Sequence, residues 1–195
     1  MTLPYNEKIY SIAKSPVPHL QTVWEWDTFI KNFYVPLKPK NVLEIGTFYG
    51  ATMWAMMHNV YLDKFVSVDL PIPPEDGRYG DMIRSKEIWK QWPDYKSIVS
   101  IEGDSHSTRV ISDTLNQFPS RDVDVLFIDG DHSYEGVKAD YLNFKSLVRE
   151  GGLIVFHDSV GYNSVKQLCD EIRLHQTRCV EISEKNGWGL FILEK

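Results

Sequence analysis

Val42-Leu43-Glu44-Ile45-Gly46-Thr47-Phe48-Tyr49-Gly50-Ala51-Thr52 is an apolar run that passes through one acid into a glycine-containing turn and on into a helical stretch. Gly46 and Gly50 carry no Cβ, so the chain can turn sharply there and let a ligand approach bare backbone, while the amides that open the helix point at the same spot. The spacing is Gly-x-x-x-Gly. It lacks both the Gly-x-Gly-x-x-Gly of dinucleotide folds and the lysine of a P-loop, which disfavours a pyrophosphate or triphosphate ligand. A carboxylate at Glu44 would repel phosphate and welcome a cationic group such as an ammonium or a sulfonium. The plain alternative is a structural strand–turn–helix whose glycines serve packing.

Outward from this turn, short β-branched runs alternate with longer segments of helical spacing, the pattern of a parallel sheet covered by helices on both faces. The runs are residues 41–45, 64–69, 97–101, 124–129 and 152–157, each nearly continuous in apolar residues as buried parallel strands are. Apolar stripes mark helices at Ile111, Leu115 and Phe118, at Val137, Tyr141, Phe144 and Val148, and at Val165, Leu168, Cys169 and Ile172. Gly151-Gly152 reads as the end of the second of these helices. The last two runs, 178–182 and 189–193, flank Glu184-Lys185-Asn186-Gly187 and predict a closing antiparallel hairpin.

Two stretches stand outside the alternation. Residues 1–40 form an N-terminal helical extension or cap, with a helix expected over His19–Phe33 and stopped by Pro36 and Pro39; residues 41–195 form the α/β domain. Within that domain 71–95 breaks at Pro71-Ile72-Pro73-Pro74 and resumes as a helix around Asp81–Trp92. It lies after the second strand, where open α/β sheets bind ligands, and is read as a lid or substrate-recognition insertion.

At 195 residues the chain is one domain's worth, able to bury roughly 70% of its unfolded surface, and its 43% hydrophobic content is ordinary. No run reaches membrane-span length, and Met1–Lys8 has no basic-then-apolar leader, so the reading is a soluble cytoplasmic protein. Cys169 and Cys179 lack metal-ligand spacing and read as core residues of a reducing compartment. Twenty-one basic against 27 acidic residues give a net charge of −6, which argues against nucleic acid or an anionic membrane and for a small-molecule partner.

The strand ends carry the remaining chemistry. Asp69 closes the second strand 25 residues after Glu44, where nucleotide-binding α/β folds place an acid on ribose hydroxyls. Gly103-Asp104-Ser105 closes the third with groups suited to an adenine edge or, equally, to capping the next helix. The fourth ends Asp129-Gly130-Asp131-His132-Ser133 and the fifth His157-Asp158-Ser159. Neighbouring parallel strands would bring these two clusters together as oxygen ligands for a Mg²⁺-type ion.

Taken in order, Glu44 to Gly50, Asp69, Gly103 to Ser105 and Asp124 to Asp129 resemble the successive motifs of class I S-adenosylmethionine-dependent methyltransferases over about residues 40–195. The glycine turn, with Phe48 and Thr52, is most similar to small metal-dependent O-methyltransferases of the catechol O-methyltransferase type, and relatives acting on antibiotic sugars and cephalosporin-hydroxylase-like proteins share the next motif. The resemblance implies a Rossmann-like, doubly wound seven-stranded sheet of order 3-2-1-4-5-7-6 with strand 7 antiparallel. It implies that Glu44, Gly46, Thr47, Phe48 and Gly50 hold the methionine end of S-adenosylmethionine, Thr52 its carboxylate, Asp69 the ribose and Gly103, Asp104 and Ser105 the adenine. It places metal ligands at Asp129, Asp158 and Ser159, the last standing where the family has an amide.

The catechol-type lysine base falls on His132 and the antibiotic-sugar aspartate base on Asp131, and the two stay unranked. An unperturbed imidazole titrates near about 6.5, which suits His132 or His157 to taking a hydroxyl proton. As plainer readings, His132 caps the helix that opens near Ser133 and His157 is a satisfied core residue. His19, His58, His106 and His175 read as ordinary.

The function expected is methylation of a small-molecule hydroxyl acceptor with divalent-metal help. The rivals are a metal-dependent hydrolase built on Asp129, Asp131, His132, His157 and Asp158, and a non-catalytic S-adenosylmethionine-binding module. An exposed N-terminal helix leaves a homodimer open.

Overall fold

The computed structural model describes residues 9–92 and 95–195; residues 1–8 of the expected N-terminal extension and 93–94 of the stretch read as an insertion lie outside the described residues. Seven strands, β1 (Asn41–Ile45), β2 (Lys64–Asp69), β3 (Ile98–Glu102), β4 (Val123–Ile128), β5 (Val148–His157), β6 (Cys179–Ile182) and β7 (Leu190–Glu194), form one sheet in the order β3-β2-β1-β4-β5-β7-β6. The first five are parallel, and β7 runs antiparallel between β5 and β6. The sheet is therefore the Rossmann-like methyltransferase arrangement expected, closing hairpin included. After β3 the chain crosses over to pair β4 beside β1, and the switch point opens a crevice at the C-terminal ends of those two strands.

Alternate residues of each central strand feed two cores. One face carries Val42, Val125, Phe127 and Val155 beneath α1 (Val23–Phe29), α3 (Ala51–Asn59) and α4 (Tyr79–Trp89), which contribute Trp26, Phe29, Met53, Met56 and Trp89. The other carries Leu43, Val66, Leu126 and Ile154 beneath α5 (Thr108–Gln117), α6 (Tyr134–Phe144) and α7 (Asn163–His175), through Val110, Val137, Phe144, Val165 and Leu168. The stretch before β1 is part of the first core: Trp26, Phe29, Ile30 and Tyr34 are fully buried, and the Trp26 ring meets Phe127 edge-on at 5.1 Å. Among the described residues no helix is long and apolar enough to cross a membrane.

Several local expectations are corrected. The helix placed over His19–Phe33 starts at Val23 and runs past Pro36, through a π-helical turn (Ile30–Tyr34), into the short α2 (Val35–Leu37). The wider turn shifts the bonding register so that Pro36 falls in the first turn of α2, where its missing N–H costs nothing, and Lys38 at φ 53° stops the run. Gly151-Gly152 ends no helix. α6 stops at Phe144, Val148 already belongs to β5, and the two glycines form a bulge opposite Val123–Val125, with Gly151 at φ 71°. Of the stripe expected in α5, Phe118 is buried and Ile111 packs partly against the core, but the buried positions within the helix are Val110 and Thr114, and Leu115 is 37% exposed. Asp124 lies at the opposite end of the sheet from the crevice, where its carboxylate accepts from the Lys40 and Asn41 amides at 2.6 and 2.8 Å and pairs with Arg149 at 2.6 Å.

Candidate functional site

The turn from β1 into α3 is held by its own chain. Gly46 sits at φ +87°, and a Cβ there would lie 2.0 Å from the carbonyl oxygen of Asp129; Gly50 sits at φ +86°, where a Cβ would strike the Trp89 ring at 2.7 Å. Both glycines are thus demanded by backbone crossing and ring packing before any ligand is considered. Phe48 adopts φ 50°, a conformation uncommon for a side chain of its size, and its amide donates to Asp69 Oδ2 at 2.5 Å. The other Asp69 oxygen accepts from the Leu70 amide at 2.8 Å, yet burial still raises the carboxyl's pKa above the usual range. Ser67 donates to the Thr47 hydroxyl at 2.8 Å.

Glu44 is fully buried beneath this turn, with Thr52 donating to one oxygen and no partner for the other. Desolvation, only partly offset by Thr52 and Thr47, pushes its pKa up to about 8. An unpaired carboxylate oxygen in such surroundings favours an added positive charge.

At the end of β3, Gly103 (φ +146°) packs under Arg109 and Val110. Ser107 caps α5, accepting from the Val110 amide at 3.3 Å, so neither Asp104 nor Ser105 does. Asp104 accepts from the His106 amide at 2.9 Å, and Ser105 donates to the buried Asp140 at 2.7 Å. His106 Nε2 stands 3.2 Å from Asp140 as well, and the second Asp140 oxygen has no partner.

The ends of β4 and β5 do meet. His132 Nε2 lies 2.6 Å from Asp158 Oδ2 and 3.5 Å from Asp129 Oδ1, while His157 Nδ1 lies 3.2 Å from Asp129 and 3.1 Å from Asp158. Burial opposes charge on His157, but the two carboxylates outweigh it and raise the imidazole to about 10; the same carboxylates raise His132 to about 9. In return Asp158 falls to about 2 against the pull of its own burial. His132 Nε2 and His157 Nδ1 are nonetheless buried without a well-directed hydrogen bond. Asp129, His132 and Asp158 offer three ligand atoms within 4.8 Å of one another.

Ser159, also expected as a ligand, has its hydroxyl donating to Glu181 at 3.0 Å behind the cavity wall, after Asp158 at φ 61° turns the chain. His132 takes the third place. It is not the cap of α6 either, since Ser133 fills that position, accepting from Gly136 at 3.1 Å. Asp131 accepts from the Ser133 amide at 2.8 Å, which holds its carboxyl below the usual range and makes it the poorer proton acceptor.

One cavity of about 690 Å³ unites these parts, lined by Gly46, Asp69, Ser105, Asp129, His132 and Asp158 among others. Thr47, Phe48, Gly50, Thr52, Gly103, Asp104, Asp131 and His157 share its wall, whereas Glu44 and Ser159 lie behind it. The sequence reading missed His19, Leu20, Gln21, Arg78, His106, Tyr162 and Trp188, which also line it. No local spacing marks them, because segments distant in sequence reach the cavity only through the fold.

A family model described as a methyltransferase domain matches residues 43–159. An uncharacterised protein of Acanthamoeba polyphaga mimivirus is 32% identical over 62% of this chain and 52% of its own length; one of Sinorhizobium fredii is 22% identical over 63% of this chain and 13% of its own. The chain thus spans about half the length of the first of these curated relatives and less of the second. Among solved structures, an O-methyltransferase from Bacillus cereus in complex with SAH superposes with a TM-score of 0.62 at 16% identity, over 94% of this chain and 87% of that one. An O-methyltransferase family protein from Burkholderia thailandensis gives 0.60 at 12% identity over 87% and 55%. Identities this low speak to the fold, and the family model, matching more than half of the 195 residues across the crevice itself, supplies the rest: the chain belongs to the methyltransferase-domain family.

Proposed function

We propose that the protein transfers a methyl group from S-adenosylmethionine to a hydroxyl oxygen of a small molecule, assisted by a divalent cation. The observation that carries this reading is the single cavity running from the glycine turn and Asp69 to the Asp129–His132–Asp158 cluster. Such continuity is what direct transfer between a bound donor and an acceptor needs, and the Bacillus cereus neighbour was solved with the demethylated product.

The residues present fit the donor. Thr47, Phe48 and Thr52 offer polar groups and an aromatic edge around Gly46 and Gly50, with Glu44 behind them; Asp69 and Gly103 to Ser105 continue the wall toward a ribose and a base. Bound there, S-adenosylmethionine supplies an electrophilic methyl that an oxygen takes in one displacement. Glu44, lying behind Thr52, orients its hydroxyl.

The residues also fit a cation, though less simply than two acids and an amide would. Two carboxylates accept Mg²⁺, but the imidazole in third place suits Mn²⁺ or another first-row ion better. A divalent ion would acidify the acceptor hydroxyl and compete with the proton that Asp129 and Asp158 now hold on His132. With its Nε2 on the cation, His132 is a ligand in this reading, Asp131 is held low, and His157, 6% exposed between the two acids, is the second imidazole beside them.

Thermal unfolding with S-adenosylhomocysteine, with NAD and with neither, each with Mn²⁺, Mg²⁺ or EDTA, tests the reading. Saturation at about 100 times Kd stabilises by about 2.7 kcal/mol, or about 5–11 °C for a chain of this size. A rise with S-adenosylhomocysteine and none with NAD is expected; no rise, with calorimetry confirming that nothing binds, overturns it.

A further inference from the structure

Asp140, in the middle of α6, is 0% exposed and has no part in the proposed transfer. Its Oδ1 faces two groups of the cavity wall: the Ser105 hydroxyl donates to it at 2.7 Å, and His106 Nε2 stands 3.2 Å from it and 3.2 Å from the Gly136 carbonyl. With two acceptors around it, Nε2 is the ring nitrogen that carries a proton, so His106 turns that proton away from the cavity. Oδ2 is buried without a partner beneath Gly130, where a Cβ would come within 3.2 Å of it. Burial raises the carboxyl above its usual range, and a proton taken up there belongs on Oδ2, which leaves Oδ1 an acceptor in either state. Packing alone does not call for such a group, because an apolar side chain fills the same space without leaving a buried oxygen unmet.

The effect falls on Ser105. A free serine hydroxyl can donate or accept, but one whose proton is committed to a buried acid has only lone pairs left to turn toward a ligand. Beside it, Asp104 lines the same end of the cavity with a carboxylate that accepts from the His106 amide at 2.9 Å. The Asp104 and Ser105 side chains at this end therefore accept hydrogen bonds and do not donate them. A purine with an amino group at C6 brings a donor to them; the same purine with an oxo group at C6 sets oxygen against oxygen.

We infer that Asp140 is a positioning residue for the base end of the cavity: by taking the Ser105 proton it fixes that hydroxyl as an acceptor, and the site thereby selects a nucleoside thioether whose purine carries an amino group at C6 over one that carries an oxo group. The inference rests on the methyltransferase reading and adds to it what sets the choice of base, a residue of α6 that does not itself line the cavity.

The test is calorimetric titration of S-adenosylhomocysteine, and separately of S-inosylhomocysteine, into the full chain. Wild type should prefer the adenosyl compound by about tenfold or more, the worth of one hydrogen bond to a charged or committed acceptor. Asp140→Ala frees the Ser105 hydroxyl to rotate and should cut the preference to about threefold or less, chiefly by tighter binding of the inosyl compound, a gain that structural damage would not produce. Asp140→Asn, whose amide oxygen can still accept from Ser105, should keep most of the preference. A wild type that binds the two compounds equally, or a folded Asp140→Ala chain with the wild-type preference, overturns the inference and leaves the methyltransferase reading standing. Failure of wild type to bind either compound removes both. If Asp140→Ala does not fold, Ser105→Ala carries the test at the wall itself: the preference should fall by about threefold or more, and an unchanged preference overturns the inference.

Discussion

The two ends of the cavity are built on opposite principles. At the β1–α3 turn the residue types are fixed by backbone packing, Gly46 against the Asp129 carbonyl and Gly50 against the Trp89 ring, both at positive φ. At the ends of β4 and β5 the geometry is fixed by charge, with His132 and His157 each set between Asp129 and Asp158. Folding needs the first end whether or not anything binds; the second could lose its chemistry and keep the fold. The difference explains why the turn is the strongest signal in the chain and the cluster the most ambiguous.

Four substitutions would break or sharpen that contrast. Gly46→Ala should have the largest effect on the fold, about 3 kcal/mol or more of stability in urea unfolding, because a Cβ 2.0 Å from Asp129 O cannot be accommodated without moving β4. A stable Gly46→Ala protein would mean that the turn is not fixed by that crossing. Asp129→Asn should do the reverse, sparing the fold but lowering Mn²⁺ affinity and methyl transfer by about 100-fold, as read by calorimetry and turnover once an acceptor is found. Metal binding unchanged in that variant would remove the cluster from the reaction.

Glu44→Gln falls between the two. The folded-state pKa is about 8 against an ordinary 4.5, so the unfolded chain loses its proton first and wild-type stability drops as pH rises from about 4.5 through about 8. The variant should lack this drop and overtake wild type at alkaline pH. Parallel pH–stability curves for the two proteins would count against a strained carboxyl at this position. Ser159→Ala should have the smallest effect, about 1 kcal/mol of stability from the lost Glu181 bond, with Mn²⁺ affinity intact. A clear loss of metal binding would restore Ser159 to the ligand set.

Much of the fold was legible because parallel strands buried on both faces must be nearly continuous in apolar residues; 41–45 and 64–69 are found at the expected bounds, and the hairpin of β6 and β7 lies where its turn residues place it. Local errors came where one residue type serves two purposes. Gly151-Gly152 suits a helix end as well as a bulge, and Pro36 stops a helix unless a π turn moves it to a first turn. Asp129 and Asp158 could be singled out because each ends a strand, and adjacent parallel strands end together.

By itself, then, the sequence determined the sheet, the glycine turn and the pair of strand-end acids, since each is a matter of local periodicity or of residues a few positions apart. Tertiary structure alone decided that His132 rather than Ser159 joins the acids, that Asp131 is tied to the Ser133 amide, and that Glu25 reaches the Trp188 loop 163 residues away. Side-chain direction at the end of a strand depends on one backbone torsion, such as the φ of 61° at Asp158, and long-range contacts depend on how layers stack. Neither leaves a periodic trace in the order of residues.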